Sequence, residues 1–391
     1  MPDTRKLRDC GTWLSGGTPS KTTPGYWGGD IPWISAKSLK DFHVSESEDR
    51  VTERGAENGT RLVPENTILF VVRGMSLANE LRVGLTARPV TFNQDLKAIR
   101  PADDVDPLYL AYAMTAIGPR AMQLADATSH GTLRLQTDLV GDLAVPMPPL
   151  AEQRRIAAVL ATWDRALAAL DDRLAALRRR QRGLAQRLLS GEARLPGFDA
   201  PWREVEFASV FRVQAARDAQ IQKTEYQLEG RHPVVDQSQD FVVARSDHTS
   251  TVRDVPAIVF GDHTREVKWI DFEFVIGADG TKLLYAADGV DLLFGYHLLR
   301  ATPLRSLGYS RHMKLLKTKS FCIPSAIVEQ RAIATVLAAG DREIALTEAR
   351  RAAVARQQRG LMQRLLAPEP LPVPYRNSQA HAIPLRHPLF Y

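Results

Sequence analysis

The sequence predicts an α+β chain: two mixed α/β heads, separated by two long helices that pair within the chain as an antiparallel coiled coil with pseudo-twofold symmetry. Three observations lead there. The stretch "EQRRIAAVLATWDRALAALDDRLAALRRRQRGLAQRLL" from Glu152 returns as "EQRAIATVLAAGDREIALTEARRAAVARQQRGLMQRLL" from Glu329, 177 residues later, with 23 of 38 positions identical and no gap. Both copies carry apolar residues at alternating steps of four and three. The sequence in front of each copy is unrelated to the other but similar in length. Such a period is far too long for a solenoid, so a whole unit, variable region plus helix, is duplicated.

The elements follow in order. Residues 1–149 form the first head: "TILFVVR" from Thr67 and "DLAVPMP" from Asp142 read as strands and "PLYLAYAMTAI" from Pro107 as a helix. Residues 150–190 are the first long helix. Residues 191–326 hold a Gly/Pro connector, within "SGEARLPGFDAPW", and the second head, whose strand candidates are "AIVFGD", "VKWIDFEFVI" and "SFCIP". Residues 327–367 are the second long helix, and 368–391 a proline-rich tail. Each head ends in a short strand and a proline just before its helix.

In the first helix Ile156, Leu160, Trp163, Leu167, Leu170, Leu174, Leu177, Gln181, Leu184 and Leu188 form a coiled-coil seam. In the second, Ile333, Leu337, Ile344, Val354, Leu361 and Leu365 continue it, and Gly340, Thr347, Arg351 and Gln358 are expected to weaken it. A helix with one apolar stripe must bury that stripe, and the chain supplies one partner of equal length. At 1.5 Å per residue each helix spans roughly 57 Å, more than a turn of B-DNA, so the pair is expected to act as a ruler between the heads. A homodimeric scaffold coiled coil is the competing account of the periodicity.

Composition narrows the function classes. With 391 residues, 44% hydrophobic and 25% charged, the chain reads as globular and long enough for several domains. The net charge is +6, and the two helical repeats alone carry +5 and +3, which leaves the remainder at −2. The heads are therefore near neutral and have little surplus charge for salt-dependent phosphate attraction, so the isolated chain is expected to bind DNA weakly. Cys10 and Cys322 match no metal or redox spacing and are expected as buried free thiols in a reducing cytoplasm. No segment approaches the length of a membrane span, and a cytoplasmic location is expected.

The chain resembles the specificity subunit of type I restriction-modification systems. The resemblance rests on the duplicated "EQR.IA.VL" helices, the preceding "VPMPPLAEQ" and "IPSAIVEQ", the connector "RLPGFDAPW", the opening "GGTPSKTTPGYWGGDIPWIS" and the stretch "NQDLKAI". "HPVVDQSQDFV", "VFGDHTR" and "GYSRHMKLLK" of the second region look like the same family. The departures are the missing double proline in "IPSAIVEQ" and the tail. The resemblance implies a non-catalytic reader whose heads are target-recognition domains. Each would contact one half of a split double-stranded DNA site, while the helices set the spacing and dock two modification subunits. S-adenosylmethionine, ATP and magnesium would belong to those partners and to the restriction subunits, and no cofactor to this chain.

The residues agree with a reader. No Gly-x-x-x-x-Gly-Lys phosphate loop and no Asn-Pro-Pro-Tyr type motif is present; "MPPL" at Met147 lacks the asparagine and the aromatic ring. "PADDVDP" clusters carboxylates without a companion lysine, and Asp262, His263 and His312 lack the paired spacing of a zinc site. As DNA contacts, "SGGTPSK" offers Ser15, Thr18, Ser20 and Lys21 in a loop that can approach phosphate; Arg73 follows a strand. Asn93 and Gln94 have amides able to pair with adenine, and His130 and Arg134 lie near a turn. The second head offers Gln237, Thr264, Arg265, Tyr309, Arg311, His312 and Lys314. For each member ordinary turn chemistry is the competing account. Trp13, Tyr26, Trp27 and Trp33 are expected mostly in the core.

Overall fold

The computed structural model describes residues 3–127, 132–277, 280–305, 308 and 311–366. They divide into two units, the first running over residues 3–168 with 352–366, the second over 169–351. His130, Tyr309 and the tail 368–391 lie outside the described residues.

The first unit opens with strand Thr4–Lys6, paired antiparallel with Ala144–Pro146, the last strand before the long helix. Its main sheet runs in the order Gly11–Ser15, Leu96–Pro101, Ile68–Val71, Val83–Thr86, His43–Val44. Ile68–Val71 reads ILFV with every residue buried, the continuous apolar run of a strand covered on both faces. Helix Pro107–Met122 packs on this sheet. Asp106 starts it by accepting from the Tyr109 N–H, and Pro107 occupies the first turn, where its missing N–H costs nothing. A second sheet, Arg50–Val51, Trp27–Ile34, Val90–Phe92, Leu62–Val63, completes the head.

The second unit repeats this plan. Strand Trp202–Glu206 pairs with Ser320–Pro324, the last strand before its long helix. The main sheet runs Phe211–Gln214, Thr281–Ala286, Ala257–Gly261, Val267–Ile270. Helix Leu292–Ala301 is capped by Asp291, which accepts from the Phe294 N–H. The expected strand 267–276 is two strands: Val267–Ile270 stays in the main sheet, and Val275–Ile276 joins a three-stranded sheet beside His232–Val235. The chain changes sheets between them.

The two long helices, Leu150–Leu189 and Ile327–Leu366, pair antiparallel. In the second unit Arg351 donates to Asp171 (2.6 Å) and Gln181 to Asp341 (3.0 Å), so ten residues forward on one helix are ten backward on the other. Arg178 meets Glu348 at 2.5 Å; Arg173 and Arg180 meet Glu343 and hold its carboxyl below the usual carboxylate range. Leu188, Ile333 and Leu337 share one core with the head's Phe294 and Leu298. In the first unit Gln358 donates to Asp164 at 2.5 Å, and Leu160 and Leu366 join a core with Tyr109 and Leu110.

The seam needs two corrections. Leu366 is the buried leucine at the end of the second helix, whereas the expected Leu365 is exposed. Gly340 and Gln358 do not merely weaken the seam: Gln358 is a buried cross-helix donor, and a Cβ on Gly340 would stand 2.0 Å from Gln181 Oε1.

The duplicated "EQR" also acquires a role. Gln153 Oε1 accepts from the Asp106 N–H (2.8 Å) while its Nε2 donates to the Pro148 carbonyl (2.8 Å). Gln330 does the same with Asp291 (2.9 Å) and Pro324 (2.9 Å). Each glutamine is buried and ties the base of a long helix to the helix cap of its own head. The preceding acids differ. Glu152 is exposed; Glu329 is buried and gripped by Arg194 (3.0 and 2.8 Å) and Trp202 (3.3 Å), which the connector supplies.

Candidate nucleic-acid interface

In the first head the candidates gather where strands Ile68–Val71 and Leu96–Pro101 meet their loops. Arg73 lies two residues past its strand and bridges to Arg134 through the backbone, so two cations stand side by side. Asp95 steers Arg73, accepting its Nε at 2.6 Å and an Nη at 2.5 Å, while almost half of the arginine side chain stays exposed. Gln94 is exposed and Thr18 donates to its Oε1 at 2.7 Å, joining the 15–21 loop to the same edge. That loop is fixed from below: Trp33 Nε1 donates to the Gly17 carbonyl (3.1 Å), and Trp27 Nε1 to that of Ser20 (3.2 Å). Lys21 lies 5.9 Å from the Trp27 ring, and Lys97 donates to the exposed Ser15 at 2.5 Å.

Asn93 departs from expectation. It is buried, its Nδ2 donates to Asp95 (3.0 Å), and its Oδ1 accepts the Asp95 N–H (3.1 Å). Both ends of the amide are spent on shaping the turn, so Asn93 holds Asp95 rather than presenting itself to a base. The sequence reading also passed over Met75, 70% exposed and two residues beyond Arg73, an apolar surface able to meet a thymine methyl.

In the second head, residues 261–266 turn tightly between Ala257–Gly261 and Val267–Ile270, with Arg265 in the left-handed region (φ 64°). Thr264 Oγ1 donates to the Gln237 carbonyl (2.5 Å), and Gln237 Oε1 accepts from the His263 N–H (3.0 Å). Thr264 and Arg265 are exposed, as are Arg311 and Lys314. Asp262 joins the two loops: its carboxylate accepts the Met313 N–H (2.7 Å) and its carbonyl faces the His312 ring at 2.9 Å. His312 is therefore a second correction. It is fully buried against Asp262 and pins the junction between Arg311 and the short helix Met313–Leu316 that carries Lys314.

Besides Met75, sequence reasoning missed Asp95 and weighed Asp262 only as a metal ligand, not as the residue that joins two loops. Each is an acid beside a candidate contact at a strand end, a signal present in "NQDLKAI" and "VFGDHTR". Among the described residues no group of three His, Cys, Asp or Glu could hold a metal ion. None of their helices is long and apolar enough to cross a membrane.

Residues 3–179, the first head and most of its helix, match the family model described as the type I restriction modification DNA specificity domain. Residues 3–179 are thus similar to the type I DNA specificity domain over a little under half of the chain. The specificity subunit of the Escherichia coli type I restriction enzyme EcoR124I/EcoR124II is 33% identical over 162 residues, 41% of this chain and 40% of that protein. The MjaIX specificity subunit of Methanocaldococcus jannaschii is 34% identical over 167 residues, 41% of this chain and 38% of that protein. The match thus spans about two fifths of the length of each relative. The crystal structure of the type I restriction-modification S subunit from M. genitalium covers 92% of this chain and 95% of that one, with a TM-score of 0.59 at 15% identity, a likeness of fold. The family match and the polar edge around Arg73 occupy the same head.

Proposed function

We propose that this chain is the DNA-recognition subunit of a type I restriction-modification complex. Each head reads one half of a split double-stranded site, and the helix pair sets the distance between the halves and docks two modification subunits. The observation that carries the reading is that the unit matched by the specificity family, a head closed by a terminal strand pair and followed by a long helix, occurs twice in one chain. The chemistry belongs to partners: modification subunits bring S-adenosylmethionine and methylate adenine, and restriction subunits add ATP-driven cleavage. This subunit contributes position and sequence discrimination. Its near-neutral heads give phosphate little net attraction, so strong binding arises when the partners close around the duplex.

The test is helix length. Deleting one heptad from each long helix shortens the pair by about 10 Å, about three base pairs of B-DNA. In the assembled methyltransferase, mapped methylation is expected to move to a site whose spacer is shorter by about that much, with both half-site sequences unchanged. Unchanged spacing in a folded, assembled variant refutes the ruler. Methylation with no split site refutes the reading as a whole.

A further inference from the structure

The second head buries a lysine that none of the candidate contacts explains. Lys268 lies on strand Val267–Ile270, where the alternation points it to the same covered face as Ile270. Burying an ammonium is costly unless its donors are satisfied. Here Nζ donates to the Asp236 carbonyl at 2.7 Å and to the Asp240 carbonyl at 2.5 Å. One cation therefore ties both ends of the five-residue segment "DQSQD" to the sheet. Asp236, itself buried, tightens the same segment by accepting from the Ser238 N–H (2.8 Å) and from Tyr226 Oη (3.2 Å).

Gln237 is inside that segment, and it supports the recognition turn. Its Oε1 accepts the His263 N–H and its carbonyl accepts Thr264 Oγ1. The fit is close: at Gly280, whose φ is +88°, a Cβ would stand 2.6 Å from Gln237 Oε1. A shift of the 236–240 segment is thus passed directly to His263 and Thr264, and Arg265 follows in the turn.

From this geometry we infer that Lys268 is a positioning residue for DNA discrimination: it clamps residues 236–240 so that Gln237 holds the His263 to Arg265 turn in its reading position. It touches no DNA itself. The inference rests on the proposed recognition function and assigns a specific cause to the selectivity of the second half-site. Around the lysine stand the carboxylates of Asp236, Asp240 and Glu266, and burial favours its neutral form. Loss of the proton leaves Nζ one donor fewer for the two carbonyls.

The test uses the assembled methyltransferase, with wild type, Lys268→Met and Lys268→Arg compared by sequencing the methylated sites. Lys268→Met is expected to relax base discrimination at the second half-site by tenfold or more while the first half-site keeps its sequence; Lys268→Arg recovers part of the loss. Tyr226→Phe, which removes the Oη bond to Asp236 and leaves Lys268 in place, relaxes the same half-site less. Equal discrimination at both halves in folded Lys268→Met overturns the inference, as does equal loss at both. If Lys268→Met does not fold, unchanged discrimination in Tyr226→Phe overturns it. A wild-type complex without a split methylated site overturns the function and the inference together; a specific wild type with unaltered variants overturns the inference alone.

Discussion

Gln181 on the first long helix donates through Nε2 to the Asp341 carboxylate of the second at 3.0 Å and to the Leu337 carbonyl at 2.8 Å. This polar contact sits in what should be an apolar seam, and its repeat-equivalent, Gln358 with Asp164, is present in the first unit. Leucine against leucine tolerates slippage by a heptad; an amide that finds its acceptor at one position does not. Polar residues at single seam positions fix the register of coiled coils at some cost in stability. For a pair of helices proposed to measure DNA, register is the property that matters.

Gly340 follows from that contact. A Cβ there meets Gln181 Oε1 at 2.0 Å, whereas one on Gly183 or Gly360 meets nothing within 4 Å. Gly340→Ala must push the Gln181 amide aside and break its two cross-helix hydrogen bonds, at about 0.5–1.5 kcal/mol each, which offsets the ~1 kcal/mol gained in helix propensity and leaves the variant no more stable than wild type. Gly183→Ala should stabilise by about 0.5–1 kcal/mol. Urea denaturation of the full chain reads both; equal effects of the two substitutions contradict the close approach.

The buried Glu329 carboxylate depends on Arg194. Arg194→Met leaves it with the Trp202 indole N–H and is expected to cost about 3–5 kcal/mol, the usual penalty for stranding one member of a buried pair. Glu152→Ala, at the exposed repeat-equivalent, should stay within about 0.5 kcal/mol of wild type. Chemical denaturation separates the two outcomes.

These residues show what the sequence could disclose. The duplicated helices, their antiparallel pairing and the short strand before each were legible, because periodicity and repetition are written in order along the chain. The tie made by Gln153 and Gln330 was not, since a buried glutamine reads like a surface one until its partners, the N–H groups of Asp106 and Asp291, are placed beside it. Asn93 and His312 carry the side chains of base readers, yet both are spent on Asp95 and Asp262. Residue type marks which groups could meet DNA; only the turn decides which of them face outward.

Stability should vary with pH in a predictable direction. Burial lowers the ammonium of Lys268 from its ordinary 10.5 to about 8. Between pH 8 and 10.5 the unfolded chain then holds more protons at this group, and stability rises with pH. Burial raises the Cys10 thiol from 9.0 to about 12 and the Tyr285 phenol from 10.0 to about 12. For these the folded chain keeps the proton longer, so stability falls as pH climbs through 9 and then 10. A maximum is expected at about pH 9. Urea midpoints measured from pH 7.5 to 10.5 should lose the rise above pH 8 in Lys268→Met and delay the fall in Cys10→Ala; a rise undiminished in Lys268→Met contradicts the assignment.

Two kinds of contact should separate by their salt dependence. Arg73, aimed by Asp95 and flanked by Arg134, has the planar fork that pairs with guanine, and each such pair discriminates by about 1–3 kcal/mol. Arg73→Ala is expected to relax the first half-site while leaving the second unchanged. Arg73→Lys should rescue little, because it keeps the charge and loses the fork. Arg311 and Lys314 are exposed on either side of the buried His312, Lys314 in the short helix Met313–Leu316, and suit phosphate. Removing both charges should weaken binding evenly across sequences and reduce the slope of log affinity against log salt by about 2, since each neutralised phosphate contributes about 0.9. Binding titrations of the assembled complex between 50 and 200 mM salt read the slope. A changed methylation motif in the Arg311/Lys314 double variant, with the slope intact, would reverse the two roles.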